Sequence, residues 1–340
     1  MDISEFDYNL PKEAIAQEPL EKRDEAKLLV LDRKEGSFQT AVFRDLGDIL
    51  SANDLLALNN TKVIPARLRC EKESGGKVEV FVLKEIGEGR AEALVRGRIK
   101  EGLRLKMPES EDRVEVEIEK RLSSGKYVVR FLSNPVKDVL KNYGKIPLPP
   151  YIKRPVEPKD RDYYQTVFAQ KEGAVASPTA GLHFTPELLA SLEKKKIDHI
   201  FITLHIGWGT FKPIRNSDVT KHQMEPEFFE ILPKAAKTIN ERRENGCKIT
   251  ACGTTVVRTL EGTANNGKVM AGNGWVKIFI YPGYQFQIVD KMITNLHLPR
   301  TTPLLLTAAF AGKELLLESY RYAWKEGFRF GSYGDAMLII

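Results

Sequence analysis

Two short apolar runs near the start of the chain predict buried strands. Residues 27–31 and 54–58 are too apolar for strands that have one face in water, and such runs are typical of a sheet that is covered on both faces. After about residue 155, buried strands alternate with helical patterns. We predict strands over 197–206, 248–252 and 276–281, and helices over 186–196, 233–244, 255–262 and 313–326. This order, which ends in an apolar strand, predicts a layered α/β/α domain.

The pattern changes over about residues 67–134. Apolar residues alternate with charged ones in several short segments, and Gly or Ser turns separate these segments without an intervening helix. This pattern predicts a small antiparallel β-barrel. The proline-dense stretch 144–155 is typical of a stiff, extended connection. We therefore predict one α/β domain formed by 1–62 and 152–340, interrupted by an inserted β-barrel domain over 63–151.

The segment 177–186 combines small, hydroxyl and imidazole groups just before a predicted helix. Thr185 is a good N-cap residue, and a proline at the first helical position follows it. A helix N-terminus offers free N–H groups and partial positive charge, which suit a carboxylate or an oxyanion. We therefore place Thr179, Gly181 and His183 in the predicted site.

Two other segments follow predicted strands and end in turns. Ligands of open α/β sheets bind beyond the carboxyl ends of the strands, and His205, Gly207 and Gly209 lie at such an end. A tight turn with a core histidine is an equally good interpretation. The Gly-Thr-Thr turn at 253–255 could hold an anion, with Arg258 one helical turn further, but taken alone the pattern is better explained by an ordinary capped βα turn.

Histidines are scarce, and their positions suggest one convergent site. Four of the five lie in loop-like contexts, namely His183, His205, His222 and His297. None of these four falls at the short spacings of zinc ligands. We therefore predict no metal site and expect these histidines to transfer protons, to form hydrogen bonds, or to do both.

Composition limits the class of protein. A chain of 340 residues can form two domains, and three cysteines are too few for a disulfide framework. The acidic N-terminus does not resemble a signal peptide, and no apolar run approaches the length that spans a membrane. We therefore predict a cytoplasmic protein. The net charge of +6 permits a nucleic-acid partner.

Basic residues cluster around the predicted barrel. Small barrels often bind oligonucleotides, although charged strands are more often just solvated faces. The residues that could contact nucleic-acid phosphates are Arg67, Arg69, Arg96, Arg98, Lys100 and, beyond the barrel, Arg154.

Nine motif strings are spread almost from end to end of the chain. They lie at 6–11, 15–19, 58–68, 144–151, 164–168, 178–185, 253–255, 294–299 and 333–337. Together these strings resemble one family, the S-adenosylmethionine:tRNA ribosyltransferase-isomerases of queuosine biosynthesis. One position differs, because Glu225 stands where family members often carry a second histidine in the segment that begins at His222.

The resemblance implies a substrate, a co-substrate and a fold. The substrate is tRNA that carries 7-aminomethyl-7-deazaguanine at the wobble position, recognised through its anticodon stem-loop. S-adenosylmethionine is consumed as a ribosyl donor, and the products are epoxyqueuosine-tRNA, adenine and methionine. No cofactor, metal or obligatory protein partner is implied, and we expect a monomer. The family fold, an α/β domain with an inserted β-barrel, agrees with the pattern above.

Proton transfer and charge stabilisation in this reaction need groups of several kinds. We assign these roles to His183, His205, His297, Glu227 and Asp335. Substrate contacts are predicted for Thr179, Gly181, Gly207, Trp208, Gly209, Thr254, Thr255, Arg258, Tyr281, Tyr284 and Asn295.

Two alternative functions remain compatible with parts of the sequence. One is a non-catalytic RNA-binding protein built on the barrel, which leaves the histidine loops unexplained. The other is a metal-dependent hydrolase that uses the four loop histidines.

Overall fold

The computed structural model describes residues 1–108, 114–211, 213–214 and 216–340. The strands are β1 Lys27–Asp32, β2 Ser37–Val42, β3 Asp54–Asn59, β4 Thr61–Val63, β5 Arg67–Lys72, β6 Lys77–Gly87, β7 Arg90–Arg96, β8 Arg104–Lys106, β9 Glu115–Arg121, β10 Tyr127–Phe131, β11 Lys171–Ala174, β12 Asp198–Leu204, β13 Glu227–Ile231, β14 Lys248–Cys252, β15 Ala264–Asn265, β16 Lys268–Val269, β17 Gly272–Val276, β18 Lys291–Asn295 and β19 Ala336–Ile339. The α-helices are α1 Leu46–Ile49, α2 Val136–Tyr143, α3 Asp160–Tyr163, α4 Pro186–Lys194, α5 Pro233–Glu244, α6 Thr254–Gly262, α7 Thr302–Ala311 and α8 Lys313–Lys325. Short 3-10 helices span Ile3–Phe6, Lys12–Ala14, Arg23–Glu25, Phe43–Asp45, Thr179–His183, Trp208–Phe211 and Val219–Lys221.

A mixed sheet of nine strands forms the centre of the α/β part. Its strand order is β17-β13-β12-β3-β14-β18-β19-β1-β2, and the neighbours β12, β3, β14 and β18 are parallel. Side chains alternate between two buried clusters on opposite faces, with Leu55 and Ala57 on one face and Leu56 and Leu58 on the other. The sheet is therefore covered on both sides, as the apolar runs predicted.

Strands β5 to β10 form a closed antiparallel barrel in the order β10-β7-β6-β5-β8-β9. Its interior is filled by alternate apolar side chains such as Leu68, Val80 and Val116, and helix α2 packs against the same cluster. The predicted fold class, an α/β domain with a small antiparallel barrel, is confirmed. All six barrel strands lie within 63–151, while the domain boundaries themselves stay a prediction.

Most predicted elements of the α/β part agree with the structure, with differences at their ends. The strand predicted over 276–281 is wrong after its first residue, because β17 ends at Val276 where its pairing with Glu227 of β13 ends. Helix α4 ends at Lys194 rather than at residue 196, and Lys196 has a positive φ of 61° that ends a right-handed helix. Among the described residues, no helix is both long and apolar enough to cross a membrane.

Candidate active site

A cavity of about 760 Å³ lies at the carboxyl ends of strands β14 and β18. We call it the strand-end cavity. It has the size of a typical small-molecule site, and the position agrees with the expectation for an open α/β sheet. The predicted site residues that line it are Thr179, Thr254, Thr255, Asn295 and His297.

Two turns place these side chains. After β14 the chain turns at Gly253, whose φ of 94° favours glycine, and helix α6 begins at Thr254. After β18 the chain continues from Asn295 to His297 without entering a helix. A third segment, which ends in the 3-10 helix Thr179–His183, lies across both turns and donates the Thr179 hydroxyl to Oδ1 of Asn295 over 2.7 Å.

The side chain of Asn295 joins the cavity to His183. Its Oδ1 accepts from Thr179, and its Nδ2 lies 3.3 Å from Nε2 of His183. His183 is 5% exposed and does not line the cavity; its ring packs against Phe43 at 5.0 Å. Burial, and then the positive charge of Arg329, lower the pKa of His183 to about 3. A neutral His183 can accept the Asn295 N–H, so its connection with the cavity is indirect and runs through Asn295.

His297 is the histidine that lines the cavity. Its Nε2 lies 2.8 Å from the Thr294 hydroxyl, its backbone N–H donates to the Tyr320 hydroxyl over 3.0 Å, and its carbonyl accepts from Tyr8. Burial lowers the pKa of His297 to about 3, so the ring is neutral at pH 7. Among the described residues its Nδ1 has no hydrogen-bond partner, which leaves one ring nitrogen for a ligand.

A second cavity, of about 1090 Å³, lies between the barrel and the edge of the sheet. We call it the barrel cleft; His205, Gly207, Trp208 and Glu227 line it. Ile206 lines both cavities, so the carboxyl end of β12 forms a wall that they share. The histidines of the sequence therefore do not converge on a single cavity.

His205 is held tightly in the barrel cleft. Its Nδ1 lies 2.8 Å from the Thr61 hydroxyl, and its ring stacks on Phe228 at 5.5 Å. A Cβ at Gly173 would lie 2.6 Å from Nε2 of the ring, so this position requires glycine. Burial lowers the pKa of His205.

A buried ion pair joins Glu227, which lines the barrel cleft, to Arg258 of helix α6. Both side chains are less than 10% exposed. The other oxygen of Glu227 accepts from the Gly207 N–H over 2.9 Å and from the Thr210 hydroxyl over 3.3 Å. The pair therefore fastens the turn after β12 to helix α6.

Several predicted site residues lie elsewhere. Asp335 accepts from the backbone N–H groups of Lys27 and Arg329, and so joins β1 to the final strand. Tyr284 donates to Glu261 over 3.2 Å. Four further predicted residues are also absent from the linings of both cavities, namely Gly181, Gly209, His222 and Tyr281.

Several residues that line the strand-end cavity were not predicted from the sequence. They are Ile15, Gln17, Tyr151, Ser177 and Thr294. All five lie in or beside motif strings that carry the family resemblance, which is the signal that could have found them. Gln17 donates to the carbonyl of Tyr151 over 3.1 Å and accepts from the backbone of residue 153 over 2.7 Å, so it joins two segments of the cavity rim.

The basic residues predicted to contact tRNA fall into two groups. Arg96, Arg98 and Lys100 are exposed at the end of β7 and beyond it, as is Arg69 on β5. Arg67 and Arg154 are paired instead, Arg67 with Glu79 over 2.8 Å, and Arg154 with the buried Asp160 through two bonds of 2.7 Å and with Glu18.

The fold and cavity define the class, an α/β protein with an inserted barrel and a cavity of small-molecule size at its strand ends. The family model described as "Queuosine biosynthesis protein" matches residues 3–339. Similar proteins include the S-adenosylmethionine:tRNA ribosyltransferase-isomerases of Sulfurihydrogenibium sp. (strain YO3AOP1), 48% identical over 343 residues, and of Aquifex aeolicus (strain VF5), 46% identical over 341 residues; in both pairs each chain is covered completely.

A solved structure is similar as well. The crystal structure of S-adenosylmethionine tRNA ribosyltransferase from Thermotoga maritima has a TM-score of 0.56 and 36% identity, and the match covers 99% of this chain and 100% of that one. The chain belongs to the queuosine-biosynthesis family of S-adenosylmethionine:tRNA ribosyltransferase-isomerases. The two alternative functions gain no support; within the described ranges, no three His, Cys, Asp or Glu residues are grouped as metal ligands.

The buried His183 predicts a specific dependence of stability on pH. Its pKa is about 3 in the folded protein against 6.5 in the unfolded chain. Between these values the unfolded chain binds a proton that the folded protein does not, so the free energy of unfolding falls as pH falls below about 6.5. His183→Gln removes this difference of up to one bound proton. We therefore expect the slope of the unfolding free energy against pH to fall by up to about 1.4 kcal/mol per pH unit. The measurement is urea unfolding between pH 7 and pH 4.5.

Phe43→Leu is the matched control, since it disturbs the same packing without removing a titratable group. It should lower stability at every pH and leave the slope unchanged. A slope that is the same in His183→Gln and in the wild type would show that His183 is not held neutral.

Proposed function

We propose that the strand-end cavity binds S-adenosylmethionine and that its ribosyl group is transferred to tRNA there. The substrate nucleotide is 7-aminomethyl-7-deazaguanine at the wobble position, and the products are epoxyqueuosine-tRNA, adenine and methionine. The observation that carries the proposal is a ligand-sized cavity at the parallel strand ends, lined by the neutral imidazole of His297 and by the oriented amide of Asn295. The family to which the chain belongs supplies the reaction.

The chemistry explains why these groups are useful. The sulfonium of S-adenosylmethionine acidifies the neighbouring C5′ protons, so a neutral base can remove one of them. We propose His297 for this step, because its ring is neutral and its Nδ1 is unpartnered among the described residues. A pKa of about 3 makes the ring a weak base, so the step depends on the acidity that the sulfonium gives to the C5′ protons. Attack by the aminomethyl group, loss of adenine and closure of the epoxide with departure of methionine complete the reaction. S-adenosylmethionine is consumed as a co-substrate, and we propose that no other cofactor takes part.

Asn295 and His183 act together as positioning residues. A carboxamide can be misoriented, but here one end accepts from Thr179 and the other donates to His183. A protonated His183 could not accept that N–H, so burial of the neutral ring fixes the direction in which Asn295 presents its polar atoms.

The tRNA is proposed to lie against the outer face of the barrel as well as at the cavity. In the strand register, Arg69 pairs with Glu79 and Glu79 pairs with Arg96, so these side chains share one face of the barrel, opposite to interior residues such as Leu68. Exposed cations on that face suit a phosphate backbone. We further propose that the protein acts in the cytoplasm, where it meets its tRNA substrate, and that it acts as a monomer.

The activity itself is tested by following both small products. Purified protein should release adenine and methionine in equal amounts from S-adenosylmethionine, and only when tRNA or an anticodon stem-loop with the 7-aminomethyl-7-deazaguanine base is present. His297→Ala should lower turnover about a hundredfold or more, because it removes the proposed base. Methyl transfer to the tRNA without release of adenine contradicts the proposed reaction, and full activity of His297→Ala removes His297 from the chemistry.

The barrel face is tested by the salt dependence of tRNA binding. Replacing Arg96, Arg98 or Lys100 by Ala should weaken binding and reduce the slope of log K against log salt by about one unit for each lost phosphate contact. Lys237→Ala, on α5 away from the barrel, is the control and should leave the slope unchanged. Equal slopes in all four variants would place the tRNA on another face.

A further inference from the structure

The N-terminus of helix α6 opens into the strand-end cavity without a cap of its own. Its N-cap residue is Gly253, which has no side chain to accept the first N–H groups. Among the described residues, the backbone N–H groups of Thr254 and Thr255 have no hydrogen-bond partner, and both residues line the cavity. The first N–H groups of a helix are normally satisfied by a cap, by water or by a ligand.

Arg258 supplies a buried hydrogen-bond donor near the same end of helix α6. Arg258 is 6% exposed and lies one turn into α6, where helical side chains lean towards the N-terminus. Its Nη1 pairs with Glu227 and its Nε donates to the Ile278 carbonyl over 3.3 Å, but its Nη2 is buried and unpartnered among the described residues. A buried unsatisfied guanidinium N–H is costly and calls for an acceptor.

A small hollow connects this guanidinium with the cavity. It has a volume of about 10 Å³ and is lined by Arg258 together with Thr210, Thr254 and Thr255, three residues that also line the strand-end cavity. Such a volume holds about one water molecule. A water there can accept from Nη2 and donate to a ligand that occupies the helix terminus.

The charges around the cavity also favour an anion at this end. The ionised residues that line its described part are Lys12, Glu13 and Lys153, and all three are exposed at the rim. Glu13 is the one carboxylate among the described lining residues, and it is exposed at the rim, where water screens its repulsion of an anion at α6. Glu227 neutralises Arg258 from the opposite side, so the attraction comes from the helix dipole and from the N–H groups that remain free.

We propose that this site binds the carboxylate of the methionine end of S-adenosylmethionine. The carboxylate accepts from the N–H groups of Thr254 and Thr255, and from Nη2 of Arg258 through the water in the hollow. This inference rests on the proposed function and adds to it the direction in which the co-substrate lies, with its amino-acid end at α6 and its ribosyl group nearer to Asn295 and His297.

The test compares S-adenosylmethionine with its decarboxylated analogue, which keeps the sulfonium, the adenosine and the amine. By calorimetry, the wild type should bind S-adenosylmethionine about tenfold or more tightly, since charge-assisted hydrogen bonds are lost with the carboxylate. Thr254→Pro removes one N–H at the first helical position, where proline is tolerated and where the ψ of 148° at Gly253 already suits a following proline. In this variant we expect the preference to shrink several-fold, with binding of the analogue unchanged.

Two further variants keep the test decisive. Thr254→Ala removes the hydroxyl and keeps the N–H, so it should retain the wild-type preference. The double variant Glu227→Gln, Arg258→Met removes Nη2 without leaving a lone buried charge, and it should also reduce the preference; urea unfolding verifies that each variant is folded. A wild type that binds both compounds equally, or folded Thr254→Pro and double variants with the full preference, would overturn the carboxylate site. A wild type that binds neither compound, either alone or with an anticodon stem-loop present, would instead refute the proposed function.

Discussion

The parallel pairing of β12, β3, β14 and β18 is the constraint on which the rest of the structure depends. Their apolar side chains fill both faces of the sheet, so the register of these strands is set by burial on two sides. Parallel strands end at the same edge, and this edge collects the turn at 205–207, the Gly253 turn and the Asn295 segment from distant parts of the chain. The cavity follows from that geometry.

Burial then determines the chemistry that the edge can perform. Burial keeps His183 and His297 neutral. His183 can therefore accept from the side-chain amide of Asn295. His297 has one ring nitrogen without a partner in the described part of the chain. The buried pair of Glu227 and Arg258 fixes the wall between the strand-end cavity and the barrel cleft. Groups that are fixed before the substrate arrives need little reorganisation when charge develops.

Much of this arrangement could be predicted from the sequence, and the limits have physical causes. Period-two alternation identified the barrel, and the run of apolar residues at 54–58 identified a doubly covered strand, because burial leaves a local pattern. The contacts of Asp335 and Tyr284 could not be predicted, because they are made with residues distant in the sequence. The local sequence around Asp335 is the same whether its carboxylate faces a ligand or accepts from the N–H groups of Lys27 and Arg329. Tyr284 likewise donates to Glu261, 23 residues away. His205 and His297 lie in different cavities because Ile206 belongs to the wall between the barrel cleft and the strand-end cavity. Nothing in the local sequence around Ile206 indicates that position.

The central claim is that the strand-end cavity, rather than the barrel cleft, holds the co-substrate. A crystal structure of the protein with bound S-adenosylmethionine tests this most directly. The account predicts ligand density in the strand-end cavity, with the ribosyl group beside Asn295 and His297. Density in the barrel cleft beside His205 and Trp208, with the strand-end cavity empty, would contradict it.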